Sequence, residues 1–212
     1  MKRLGVQSTI SLVAIASVVD AAPAAAPPAD VKRPAANFFG EVLGKSLSAW
    51  KAESPPSPSP AALHFCSNDA SANFGRLPPR TETERRVGTL RCTYLASAEP
   101  LSGPLQLSIG GGFRTRRVAY DFQGGSLYRV LVLAPGDAFN HLVARIRRRL
   151  GDPVRIERDK IVTQSGVALP HVRMEWRGSG SRVVLDDPTK RGDELLVTYT
   201  DERVATQGGA AT

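Results

Sequence analysis

Apolar and polar positions alternate most regularly between Arg116 and Asp201. Val118, Tyr120 and Phe122 alternate with Ala119 and Asp121, which predicts a strand with one buried face. Gly124-Gly125 supplies a tight turn where positive φ is needed. Leu127 to Leu133 returns as the partner strand, apolar on both faces except at Arg129, as expected of a central strand. Pro135-Gly136 breaks it, and Asp137 is placed to cap a helix that runs to Leu150. Phe139, Leu142, Val143, Ile146 and Leu150 recur on one face of that helix; Gly151 follows it and Pro153 bars its continuation. Three more strands follow, marked by Val172, Met174 and Trp176, by Val183 to Leu185, and by Leu195, Val197 and Tyr199. The residues after Asp201 are small and polar and are expected to fray.

Upstream the pattern is weaker. Phe38 to Leu43 reads as a short strand and Gly44 as a turn. Ser46 then caps a short helix through Glu53, with Leu47 and Trp50 on one face. Ser54 to Pro60 is proline-rich and reads as a stiff connector. Leu63 to Cys66, Gly88 to Ala96 and Leu105 to Ile109 read as strands, with a polar excursion from Asn68 to Arg86 between the first two. The sum is an α+β fold, a mostly antiparallel sheet with one longer and one short helix packed on one face. One domain spans residues 37–203, and residues 204–212 form a disordered tail.

The first 21 residues change the picture most. Lys2 and Arg3 precede an apolar run from Leu12 to Val19, and small residues follow from Ala21. This is the pattern of a secretory signal peptide, with cleavage after Ala21, or alternatively after Ala24. The run is too short and too interrupted to span a bilayer, and no later segment is long enough to do so. Residues 22–36, rich in Ala and Pro, read as a tether. Export to the periplasm or medium suits the two cysteines, because Cys66 and Cys92 can pair in an oxidising compartment.

The chain carries 28 basic and 20 acidic side chains, a net charge of +8. Removing residues 1–21 takes away Lys2, Arg3 and Asp20 and leaves +7. Arginine far outnumbers lysine, and Ala, Gly and Pro are abundant with it, as a GC-rich genome gives; the functional alternative is affinity for acidic surfaces such as phosphorylated lipid headgroups or anionic wall polymers. Export, low aromatic content and the lack of a stacking platform argue against nucleic acid. The expected partner is an envelope protein or an anionic envelope polymer.

The run V-x-Y-x-F-x-x-G-x-L-Y-R-V (Val118 to Val130), the run F-x-x-L-x-x-x-I-x-x-x-L-G-D-P (Phe139 to Pro153) and the strand with Trp176 together resemble uncharacterised periplasmic or secreted domains of proteobacteria. They are loosely similar to β-lactamase-inhibitor-like proteins and small envelope-assembly lipoproteins. The resemblance covers about 85 residues, implies fold and compartment, and carries over no active site. The lipobox cysteine of the lipoproteins is missing here.

Two basic clusters are the candidate binding face. Arg145, Arg148 and Arg149 recur on one side of the long helix, and Arg114, Arg116 and Arg117 follow Gly110-Gly111-Gly112. The first cluster also complements the negative end of a helix dipole. The second reads most simply as a hairpin loop, since the strand-to-helix context and Gly-Lys-Ser ending of a phosphate loop are missing. His64, His141 and His171 have no metal-ligand spacing, so no metal and no cofactor is expected. Ser126 lies outside any nucleophile elbow, and His171 and Arg173 read as part of an ion-pair ladder. Trp50 and Trp176 are expected in the core. The reading is an exported, non-catalytic binding protein; the alternative is a small secreted hydrolase without a recognisable motif.

Overall fold

Strand pairing sets the frame of the computed structural model, which describes residues 41–55, 62–69, 77, 79–97 and 103–207. These fall in one compact unit, residues 32–212. The expected signal peptide, the tether, residues 38–40 of the expected first strand, most of the proline-rich connector and the last five residues lie outside the described set; residues 41–43 form no strand and lead into a turn at Gly44.

Eight strands form one antiparallel sheet: β1 (Leu63–Cys66), β2 (Leu90–Leu95), β5 (Arg117–Gln123), β6 (Ser126–Pro135), β7 (Arg155–Val162), β8 (Ala168–Gly178), β9 (Ser181–Asp187) and β10 (Glu194–Asp201). Their order across the sheet is β1-β2-β5-β6-β10-β9-β8-β7. A separate short hairpin pairs β3 (Ser108–Gly110) with β4 (Phe113–Arg114). The molecule is thus mostly antiparallel sheet with few helices.

The helices are α1 (Leu47–Ala52), α2 (Glu82–Arg86), α3 (Phe139–Leu150) and α4 (Glu202–Gln207). One face of the sheet holds the main core. Val118, Tyr120, Val130, Val132, Trp176, Leu185, Val197 and Tyr199 pack there with Trp50 of α1 and with Leu142, Ile146 and Leu150 of α3. Trp50 and Trp176 are both fully buried, as expected. Ser46 caps α1 by accepting from the Ala49 N–H at 3.1 Å. Gly151 ends α3 at φ +81°, a conformation that favours glycine.

Several expectations need correction. Asp137 does not cap α3: a 3₁₀ turn over Gly136–Ala138 leads in, and Ala138 occupies the cap without a side-chain bond. Strand β5 is buried on both faces, because Ala119 and Asp121 are as inaccessible as Val118 and Tyr120. Four strands, not three, follow α3; the extra one, β7, is polar and lies at the sheet edge. The chain past Asp201 continues as α4.

A bulge adjusts β6. Asp121 faces Arg129 while Phe122 faces Leu127, so Tyr128 is the extra residue. Leu127 is thereby returned to the core face occupied by Val130. The second face of the sheet has two halves. Over β1, β2 and β5 it is covered by residues 77 and 79–89, of which Leu77 packs on Phe65 and Leu95 and Glu84 pairs with Arg91. Over β6, β10, β9 and β8 a groove remains.

Candidate functional site

Antiparallel register places opposed residues on the same face, so the pairings list the open face row by row. One row runs Arg91, Asp121, Arg129, Thr200, Arg182, Arg177 across β2, β5, β6, β10, β9 and β8. Another runs Arg117, Leu133, Leu196, Asp186, Arg173, Glu157. Between them Leu131, Thr198, Val184 and Glu175 form a more neutral row.

The buried end of the first row is an ion-pair cluster. Asp121 is fully buried. Arg91 reaches its two oxygens at 2.7 and 2.9 Å, a bidentate pairing, and donates to Pro79 O at 2.8 Å and to Glu84 at 3.0 Å. Arg129 donates to the same Asp121 from β6 at 2.8 Å and also pairs with Glu84. Glu84 closes the cluster from α2. Its other oxygen accepts from the Thr81 N–H at 2.7 Å while Thr81 Oγ1 accepts from the Glu84 N–H, a capping box. Burial pushes the Glu84 carboxyl up, but the Thr81 N–H and the guanidiniums of Arg129 and Arg91 outweigh it and hold the group below its usual value.

The other end of the row is exposed. Arg129, Arg182, Arg177 and Arg173 line a groove of about 570 Å³ whose floor includes Thr198, Thr200 and Val184. Two carboxylates, Asp186 and Glu202, share the lining. Arg173 donates to Asp186 at 2.9 Å. Arg177 and Arg182 both donate to Glu175, at 2.8 and 2.7 Å. Burial raises Glu175, yet these two guanidiniums dominate and hold it low. The Arg182 Nε–H is buried and finds no acceptor.

The expected ion-pair ladder around His171 is present, with partners on the neighbouring strands. His171 Nδ1 lies 2.7 Å from Asp159, and Arg173 bridges Asp186 and Glu157.

The six arginines singled out from the sequence are divided by the fold. Arg145 donates to Ile109 O at 2.9 Å, and His141 Nε2 meets the same oxygen at 2.9 Å. Burial, then Arg149 and Arg148, push the Arg145 guanidinium down. These contacts clamp the β3–β4 hairpin onto α3. Gly111, at φ +62°, sits where a Cβ would come within 2.7 Å of His141 Nδ1. Arg148, Arg149 and Arg114 are exposed on that side of the molecule. Arg116 pairs with Asp193 and Glu194 at the start of β10. Arg117 faces the open side, where it borders a second, smaller recess with Leu131, Leu133 and Leu196.

Cys66 and Cys92 form a disulfide between directly opposed residues of β1 and β2. Among the described residues no His, Cys, Asp and Glu group could hold a metal ion, and no helix is long and apolar enough to cross a membrane. No protein family, curated protein or solved structure matches the chain.

Proposed function

We propose that the chain is an exported α+β domain that works by binding, and that the arginine groove on the open sheet face takes up acidic groups of an envelope protein or anionic envelope polymer. The observation that carries this reading is the convergence of four guanidiniums in one groove with a buried Arg182 Nε–H lacking an acceptor. Guanidinium forks match carboxylate and phosphate oxygens, and a sheet holds them with little ordering cost. The same guanidiniums are held in place by Asp186, Glu202, Glu175, Asp121 and Glu84, so the groove offers positioned donors rather than a net positive charge. Asp186 is engaged by Arg173, and Glu175 beside the groove by Arg177 and Arg182, which hold it low; carboxylates so engaged suit positioning of guanidiniums better than proton transfer. This favours binding over hydrolysis. The charged N-terminus with its apolar run, together with the disulfide, supports periplasmic or secreted placement.

Matched charge reversals test the site. Arg173→Glu with Arg177→Glu changes the net charge as much as Arg148→Glu with Arg149→Glu does on α3. The groove pair is expected to lower the salt needed to elute the protein from dextran sulfate far more than the α3 pair. Equal effects would reduce the interaction to net charge, and a larger α3 effect would move the site to the helix.

A further inference from the structure

The hairpin β7–β8 carries a second surface whose chemistry differs from that of the groove. On the open side its opposed pairs are Arg155–Glu175, Glu157–Arg173, Asp159–His171 and Ile161–Leu169, a balanced set. On the other side they are Ile156–Met174, Arg158–Val172, Lys160–Pro170 and Val162–Ala168. That face has six apolar residues, two cations and no acid; of the six, Met174 is buried in the main core and Val172 packs against it, which leaves four on the outer part. Both β7 acids fall on the opposite side. Val154, just before β7, and Val162 are 63% and 61% exposed, and Ile156 is 37% exposed. Arg158 and Lys160 are also exposed.

We infer that this face of the β7–β8 hairpin docks on an anionic lipid surface. From Ile156 to Val162 it extends about 20 Å, the run of six residue steps along a strand. Strand β7 is the edge of the sheet, so no further strand walls the face on that side. A planar partner can therefore reach its β7 side, from Ile156 to Val162, together with Ala168 and Pro170 of β8. Arg158 and Lys160 sit between aliphatic side chains, so their stems can lie on the apolar boundary while their charges meet phosphates. A second copy of the chain is a poor occupant, because this face would bring cations to cations. Self-pairing of the β7 edge is also disfavoured: centred on Arg158 it opposes Arg158 with itself and Glu157 with Asp159, and centred on Asp159 it opposes Arg158 with Lys160.

The test is co-sedimentation of the processed chain, residues 22–212, with vesicles of phosphatidylglycerol mixed with phosphatidylcholine, against phosphatidylcholine alone. Binding is expected only to the anionic vesicles, weakening as salt rises. Arg158→Glu with Lys160→Glu is expected to weaken it by about thirtyfold or more, as the loss of two cations near an anionic leaflet implies. Val154→Ser with Val162→Ser is expected to weaken it on the order of tenfold. Unchanged far-ultraviolet circular dichroism and melting temperature establish that each variant is folded. The groove variants Arg173→Glu and Arg177→Glu retain vesicle binding, which separates this inference from the proposed function. No binding to anionic vesicles, or binding indifferent to the Arg158/Lys160 reversal, overturns it. So does binding to immobilised polyglutamate with none to vesicles, which would mark the face as a protein-docking site.

Discussion

Asp121 has no exposed surface, and guanidiniums from the strands on either side take both of its oxygens. Arg91 is almost as inaccessible. A pair this deep is worth less than its Coulomb energy suggests, because both charges had to leave water. Breaking it is another matter, since one charge then stays buried alone. Asp121→Asn keeps the side-chain shape and removes the charge that two arginines share. It is expected to cost about 3–5 kcal/mol in chemical denaturation. A cost below about 1 kcal/mol would place the cluster among ordinary surface pairs. The alternation around Asp121 was legible, but its partners were not. Arg91, Asp121 and Arg129 stand 30 and 8 residues apart, and only strand register brings them into one row.

At the scale of elements, strong periodicity was read well and weak periodicity was missed. Strand β1 matched the expected limits, and α3 differed only at its first turn. Strand β7 was overlooked because Arg155–Val162 holds only three apolar residues, as an edge strand can. Helix α2 left a readable trace, Thr81-x-x-Glu84 with Glu82 in the first turn, yet no apolar stripe accompanied it. Its purpose is to deliver Glu84 to arginines on two other strands. The disulfide joins β1, four residues long and at the edge, to β2. In the chain-entropy account, closing a loop of this size is worth about 3–4 kcal/mol. Cys66→Ser with Cys92→Ser is expected to lower stability by up to that amount and to speed amide exchange first in Leu63–Cys66. Uniform acceleration across all eight strands would mean that the bridge does not act locally on β1.

For the whole molecule, acid sensitivity follows from the buried titratable groups. Burial holds His64 below its ordinary value near 6.5. The unfolded chain therefore takes up that proton first, and stability falls as pH drops below about 6.5 until the lowered folded value is reached. Asp201, held down chiefly by Arg203, joins Glu84 and Glu175 in contributing stability that is complete above the ordinary carboxylate range. That contribution is lost as pH falls through their lowered values. Asp187, raised by burial, works in the opposite sense and recovers stability on protonation. Melting temperature is expected to decline in two stages, and His64→Gln is expected to remove the first. An undiminished first stage in that variant would assign it to another group.

The two faces of the sheet also explain why the binding surface was only partly legible. An excess of arginine was plain from composition, and α3 showed its cations at helical spacing. The groove arginines come from β6, β8 and β9, where alternation marks which side each occupies but not which strands are neighbours. The most direct measurement is backbone-amide chemical-shift mapping of the folded protein during titration with dextran sulfate at low salt. Shifts concentrated at Arg129, Arg173, Arg177, Arg182, Thr198 and Thr200 are the predicted result. Shifts confined to α3 and the β3–β4 hairpin, with the groove amides unmoved, would contradict the account.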